Sequence, residues 1–259
     1  MLQNKPRYQS IVTRGKDAGS NWGPFSHLAL LYKTKLCNLT GSHKLSEETI
    51  SIYWELRNLF RLKEVAAFRQ TEGDVIENVP FTDTADHLER RVVALTQLEP
   101  LSQPTQSFAV YTLFGYAALA HMYLFMRDCS KDLPFSHMLS RRIRMVLEAV
   151  DKARLQAQYP EMMLWILLMG GLSGCPLSER VWFAKRVADC CLELGLHGAD
   201  QIAFLLEDFL WSELYRSPVT RRFWTEVAKA QGREVGFEVR PLADHVSVVC
   251  FNAPPDFED

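Results

Sequence analysis

The chain has almost no excess of charge of either sign, and this excludes a first set of functions. Its 259 residues carry 29 Lys and Arg against 31 Asp and Glu, which gives a formal net charge of −2 at pH 7. The two signs are dispersed, with no long single-sign run. Proteins that bind nucleic acid or anionic lipid by bulk attraction concentrate positive charge. We therefore expect no direct nucleic-acid contact from this chain.

Cysteine pairs at metal-ligand spacing are also absent. No Cys-x-x-Cys occurs, and no cysteine pair is followed by a histidine pair at zinc-finger spacing. The adjacent Cys190 and Cys191 fall on a predicted helix, where neighbouring side chains diverge. The pattern favours buried, reduced thiols in an intracellular protein. The six cysteines are Cys37, Cys129, Cys175, Cys190, Cys191 and Cys250.

The common catalytic motifs are missing as well. There is no Gly-x-Ser-x-Gly elbow, and Ser173 in Gly171-Leu172-Ser173-Gly174 has the wrong spacing. There is no His-Glu-x-x-His, and no two of the seven histidines stand at a metal-binding helical spacing. Gly170-Gly171-x-x-Gly174 follows a helix, so it indicates a helix stop and not a dinucleotide turn. We predict no catalytic, cofactor-binding or metal-binding residues and no cofactor.

A secretory leader is not evident, but one segment raises the question of a membrane. The polar N-terminus has no apolar core of the signal-peptide type. Residues 108–126 contain no Asp, Glu, Lys or Arg and are long enough to span a bilayer. The same segment contains Tyr111, Thr112 and His121, polar groups that a lipid-exposed helix would have to satisfy. We expect a central helix of a soluble bundle and keep a membrane-associated protein as an alternative.

Helical signals dominate what the chain does contain. Ser46 before Glu47 and Glu48 is typical of a capped helix start, and apolar residues then recur at helical spacing to Gln70. The predicted fold is all-α, a multi-helix bundle or irregular helical array with a short C-terminal β-hairpin. Residues 1–44 are expected to be irregular with a short helix, 45–231 to form the helical domain, and 232–259 to form a tail or hairpin. Predicted helices cover 28–37, 46–70, 88–95, 105–127, 135–158, 161–172, 177–194, 201–215 and 219–231, with a loop at 71–84.

Three side chains are the best candidates for lining a pocket. His121 stands out because its helix is otherwise uncharged, and a hydrogen-bonded core histidine is the simplest explanation. Trp165 and Trp211 occupy helical positions with apolar neighbours, where core packing is the default. Arg141, Arg142 and Arg144 are expected to form a solvated face.

Several packing motifs occur in an order that is similar to a known family. Together they resemble the fungal-specific transcription factor domain, the middle homology region of fungal zinc-cluster transcription factors, over residues 88–230. The motifs are Met163-Leu164-Trp165-Ile166-Leu167-x-x-Gly170-Gly171, Glu179-Arg180-x-Trp182-Phe183, Phe209-Leu210-Trp211 and Phe223-Trp224-x-Glu226-Val227.

The resemblance implies a non-enzymatic regulatory domain that senses an effector or binds a partner, in the nucleus; without it, a cytoplasmic location would be expected. The partners it implies are a small-molecule effector or a protein co-regulator, and it leaves a homodimer open. One departure is large, because the family's DNA-reading module has cysteines at Cys-x-x-Cys spacing that this chain lacks. The alternative function is a helical enzyme or carrier that acts on an apolar small molecule near His121 and Trp165.

Overall fold

The fold is all-α. A computed structural model describes residues 34, 43–71, 81–97, 106–127, 134–174, 177–207, 209–216 and 220–232, and these contain nine α-helices and no strand. The predicted fold class is therefore confirmed, whereas the C-terminal hairpin and nearly all of the helix at 28–37 lie outside the described residues. The helices are α1 (His43–Thr71), α2 (Phe81–Thr96), α3 (Gln106–His121), α4 (Pro134–Ala149), α5 (Lys152–Gln158), α6 (Pro160–Ser173), α7 (Leu177–Glu193), α8 (Ala199–Glu207) and α9 (Arg221–Ala230).

Two helices form the centre of the fold. α3 packs against α1, α2, α4 and α6, while α6 also packs against α5, α7 and α8. α9 packs against α7. Every residue of α6 from Met162 to Ser173 is buried, as expected for a helix that is apolar on all sides. The buried apolar residues form one continuous core cluster.

The uncharged segment Phe108–Met126 is α3 with a π-helical continuation. Met122–Met126 form the π turn, and the Arg127 amide donates to the Met122 carbonyl at 3.1 Å. Among the described residues this segment alone has the length and composition of a membrane span, yet 83% of its most apolar window is buried in the protein. Such burial is typical of a core helix, and the membrane alternative stays an untested hypothesis.

Two arginines join helices at the edge of the core. Arg91 on α2 donates to Glu48, Glu55 and Ser51 of α1, at 2.6, 2.5 and 2.8 Å. Arg127, which follows the π turn, donates to Asp86 and Glu89 of α2. We call these contacts the Arg91 clamp and the Arg127 clamp. The Arg91 clamp connects α2 to α1, and the Arg127 clamp connects α2 to the end of the π turn that follows α3.

The glycine pair of α6 lies inside the helix, as in the predicted range 161–172, and of the three glycines in the predicted helix stop Gly174 is the one that follows the last helical residue. α6 continues through Gly170 and Gly171 and ends at Ser173. A Cβ atom on Gly170 would lie 2.3 Å from Cε1 of Phe183, and one on Gly171 would lie 2.1 Å from Cε2 of Phe223. Real Cβ atoms do not approach a ring so closely. The two glycines therefore make room for phenyl rings from α7 and α9.

The predicted helix 135–158 is in fact two helices. α4 ends at Ala149, and Asp151 begins α5 by accepting a hydrogen bond from the Arg154 amide at Oδ1, at 3.1 Å. An aspartate that caps a new helix offers the backbone an alternative to continuing the old one. The apolar periodicity on both sides of residue 150 concealed this break.

The predicted helix 201–215 also ends early. α8 stops at Glu207, and Glu213–Arg216 form a short 3-10 helix. At about 100° per residue, a continued helix would turn Tyr215 about half a revolution away from the buried side at Ile202 and Leu206. Tyr215 is 0% exposed in the structure. Leaving the helix allows Tyr215 to enter the core.

Two helix starts also differ from prediction. α1 begins at His43 and not at Ser46, and α2 begins at Phe81, inside the predicted loop 71–84. Asp83 lies in the first turn of α2, where a carboxylate favours the positive end of the helix dipole. The loop was predicted from Gly73, Asp74, Asn78 and Pro80, which all precede Phe81.

Candidate functional site

A buried polar cluster lies where α3, α6 and the 3-10 helix meet. His121 is the last residue of α3 before the π turn, Trp165 is in the middle of α6, and Tyr215 belongs to the 3-10 helix. All three are 0% exposed. Together with the half-buried Trp211 we call them the Tyr215 cluster. Its members come from parts of the chain that are far apart in sequence, so only the tertiary fold brings them together.

The Tyr215 hydroxyl is the centre of this cluster. It lies 2.6 Å from Nδ1 of His121 and accepts a hydrogen bond from Nε1 of Trp165 at 3.3 Å. The Tyr215 carbonyl accepts from Oγ1 of Thr220 at 2.7 Å and from Nε1 of Trp224 at 2.6 Å. One residue thus connects the two central helices to the segment that leads into α9.

Aromatic rings surround the imidazole of His121. Their centroids lie 4.6 Å away for Phe60, 5.7 Å for Phe125, 6.0 Å for Trp165 and 5.7 Å for Tyr215. These rings supply an apolar environment in which a charged imidazole is unfavourable. The surroundings of His121 are therefore those of a packed apolar core and not of a solvated catalytic cleft.

The second ring nitrogen of His121 is unsatisfied. Nε2 is buried and forms no hydrogen bond with any residue that the structure describes. Burial, with a smaller contribution from the positive charge of Lys63, lowers the pKa of His121 from its usual 6.5 to about 3. The ring is therefore neutral at pH 7, where one nitrogen donates and the other accepts. In either tautomer, Nε2 stays available to a hydrogen-bonding group.

The π turn beside His121 is held by a lysine. Nζ of Lys63 on α1 donates to the Met126 carbonyl at 2.9 Å. A π turn has i to i+5 backbone hydrogen bonds in place of those of the α-helix, and such turns are frequent at functional sites. The ammonium group stabilises this irregular segment and at the same time disfavours a second positive charge on His121.

The three residues predicted to line a pocket all contact Tyr215. His121 and Trp165 do so through the hydrogen bonds above, and the Trp211 ring meets the Tyr215 ring edge-on at 5.1 Å. That the three line a pocket stays a prediction. The sequence interpretation missed Tyr215, although a signal existed: a buried histidine needs a hydrogen-bonding partner, and a tyrosine in an apolar segment can supply one.

The tryptophans of the packing motifs divide into two kinds. Trp165 is fully buried, as predicted, and so is Trp224. Trp182 packs at the edge of the core, with the guanidinium carbons of Arg144 and Arg186 at 5.2 and 5.5 Å from its ring centroid. Arg144 also forms ion pairs with Glu148 and Glu179. The prediction that Arg144 belongs to a simply solvated face was therefore wrong.

The described cysteines offer no reactive group. Cys190 and Cys191 are buried and form no disulfide, in agreement with the predicted buried, reduced thiols, and burial raises the pKa of Cys190 well above its usual range. A thiolate, the reactive form, is thereby disfavoured. Within the described ranges, no three His, Cys, Asp or Glu side chains are grouped in a way that could hold a metal ion.

Comparison with known proteins gives no relative. No family model, no curated protein and no solved structure matches this chain. The resemblance to the fungal regulatory domain therefore rests on the motifs in the sequence, and it stays a prediction.

Proposed function

We propose that this chain is a non-enzymatic regulatory domain of a fungal transcription regulator, which senses an apolar effector at the Tyr215 cluster. The observation that carries the proposal is the unsatisfied, fully buried Nε2 of His121 among aromatic rings. A molecule with an apolar body and one hydrogen-bonding group would satisfy that nitrogen. A small ligand site of this kind is mostly apolar with few polar groups that fix orientation.

The packing of the motif residues supports the regulatory part of the proposal. Residues from separate motifs contact one another: Gly170 lies against Phe183, Gly171 against Phe223, and Trp165 meets Phe209 with ring centroids 5.8 Å apart. Motifs that contribute packing, and not reactive groups, are what the resemblance implies for a binding domain.

The position of the cluster gives the proposed domain a way to respond. An effector can shift an equilibrium only by binding one arrangement of the helices better than another. The Tyr215 cluster joins α3, α6 and the segment before α9, so a ligand bound there contacts the elements whose packing would change. A protein co-regulator that binds one packing preferentially would act by the same principle.

The low pKa of His121 weighs against the alternative of an enzyme with His121 as general base. A base works best when its pKa is near the working pH, and the pKa of His121 is about 3. A carrier would bind its apolar molecule at the same place as an enzyme would. A measurement of turnover, and not of binding, therefore distinguishes the carrier from the enzyme.

Thermal unfolding of the full chain against a panel of apolar metabolites tests effector binding. A ligand at about 100 times its Kd stabilises by about 2.7 kcal/mol, which raises Tm by about 5 °C or more for a chain of this size. We expect such a rise for wild type and not for His121→Phe. Equal rises in both proteins would contradict binding at His121, and no rise with any ligand would leave the co-regulator version.

A reporter assay tests the transcriptional role separately. The chain is fused to a heterologous DNA-binding module, and reporter expression is compared with that of the module alone. We expect the fusion to change expression, and we expect a ligand found by thermal unfolding to modulate that change. A fusion that behaves like the module alone would contradict the transcriptional role while leaving effector binding untouched.

A further inference from the structure

The exposed side of α4 carries two methionines among charged residues. Met138 and Met145 are 42% and 59% exposed. They are seven residues apart, close to two helical turns, so they lie on the same line along the helix. Arg142 lies close to that line between the two methionines, and Ala149 lies one turn beyond Met145. We call the exposed residues of this side the α4 stripe: Met138, Arg141, Arg142, Met145, Glu148 and Ala149.

The positive charges of the α4 stripe lie nearer its N-terminal end, and its negative charge lies nearer its C-terminal end. Arg141 and Glu148 occupy the same edge of the stripe, also seven residues apart, with the basic residue nearer the N-terminus. Arg141 forms no ion pair with any residue that the structure describes. Glu148 accepts from Nε of Arg144 through Oε1, at 2.9 Å, and Oε2 has no partner among the described residues. Arg141 can therefore take a first ionic partner, and Glu148 can take a second.

We propose that the α4 stripe binds the α4 stripe of a second copy of this chain, antiparallel, in a two-fold symmetric dimer. In a symmetric interface, a residue i that contacts j of the partner requires that j contact i. The antiparallel pairing brings Arg141 to Glu148 of the partner subunit on one side of the axis and repeats the same pair on the other. Met145 lies close to the axis, and Met138 lies towards Ala149 of the partner subunit.

The charge pattern favours a second copy over an acidic helical partner. An acidic helix would pair with Arg141 and Arg142, but it would place like charge beside Glu148, which costs affinity. The self-complementary pairing satisfies Arg141 and Glu148 at the same time. Apolar positions with charged residues beside them are also the pattern that helix pairs use, with the charges setting orientation.

The expected dimer is weak. One helix face buries less area than the roughly 1,600 Å² of a standard stable interface, so we expect a Kd of about 10 to 100 µM and a concentration-dependent equilibrium. Sedimentation velocity of the full chain between about 5 and 500 µM would follow it. We expect the average mass to rise from monomer towards dimer over this range, and a monomer at every concentration would overturn the proposal.

Charge reversal tests the pairing itself. Arg141→Glu alone places two glutamates opposite each other, and Glu148→Arg alone places two arginines opposite each other, so each variant should raise Kd at least about tenfold. Mixing the two variants should restore association, because the mixed pair has opposite charges at both contacts. If each variant dimerises weakly alone and the mixture of the two also fails to associate, the antiparallel register is wrong.

Two further variants test whether the dimer forms through the α4 stripe or through another surface. Met145→Glu introduces a charge close to the axis and should abolish the dimer. Arg222→Glu on α9 changes an exposed arginine outside the α4 stripe and should leave Kd within about twofold. All these variants alter exposed residues, so their Tm should stay close to that of wild type. A dimer that persists in Met145→Glu, or is lost in Arg222→Glu, would overturn the assignment to α4.

Discussion

The Tyr215 cluster and the Arg91 clamp both join helices through several polar contacts, yet they differ in what surrounds them. His121, Trp165 and Tyr215 are 0% exposed, whereas the Arg91 side chain is 21% exposed and its partners Glu48 and Glu55 are 41% and 36% exposed. A buried polar group that loses its partner cannot turn to water, while a half-exposed one can. Although the two sites have similar numbers of hydrogen bonds, we expect removal of those bonds to lower the free energy of unfolding more at the Tyr215 cluster than at the Arg91 clamp.

Replacing Tyr215 by Phe should show the largest cost in this comparison. The change removes one oxygen and leaves Nδ1 of His121 and Nε1 of Trp165 without the partner that they have in wild type. Each unsatisfied buried group costs about 1 to 3 kcal/mol, so we expect about 3 kcal/mol less stability by chemical denaturation. Tyr116→Phe, at a half-buried residue of α3, is the matched control and should cost less than about 0.5 kcal/mol. Equal losses in the two variants would contradict the central role of Tyr215.

The sequence predicts the helical elements far better than it predicts the Tyr215 cluster. α6 was predicted at 161–172 and spans Pro160–Ser173, because an apolar run bounded by Pro160 and Gly174 has few other interpretations. Local signals do not reveal the reason for a residue type where a distant contact requires it. Gly170 and Gly171 have the composition of a helix stop, but Phe183 and Phe223 explain why glycine is needed there.

The same reasoning explains the partial success at the candidate site. His121 was singled out because a titratable residue in an uncharged helix is conspicuous, and Trp165 because of its apolar neighbours. Tyr215 was assigned to the end of a regular helix, and only its need for burial against α3 and α6 reveals that the helix stops before it. Periodicity carries no information about which residue a buried imidazole meets.

The pH dependence of stability should sharpen the contrast between interior and edge. The pKa of His121 is lowered to about 3 in the folded state, against about 6.5 when unfolded. The unfolded chain therefore binds more protons below pH 6.5, and stability is lost as the pH falls from there towards 3. Between pH 7 and pH 5 the expected loss from His121 is about 2 kcal/mol. Denaturation of wild type and His121→Phe at both values measures it; equal losses in the two proteins would contradict the assignment.

The Arg91 clamp should show the smallest effect and a different dependence on conditions. Hydrogen bonds to Glu48 and Glu55 raise the pKa of Arg91, although partial burial opposes them, so the guanidinium stays charged at any pH used here. Arg91→Met keeps the aliphatic packing and removes three hydrogen bonds, and we expect about 1 kcal/mol less stability, because water can solvate the glutamates that remain. Raising the salt concentration should reduce this difference by screening, whereas the loss in Tyr215→Phe should not change. Arg222→Met, at an exposed arginine of α9, is the control and should cost almost nothing. A loss for Arg91→Met as large as that for Tyr215→Phe would mean that burial does not separate the two polar systems.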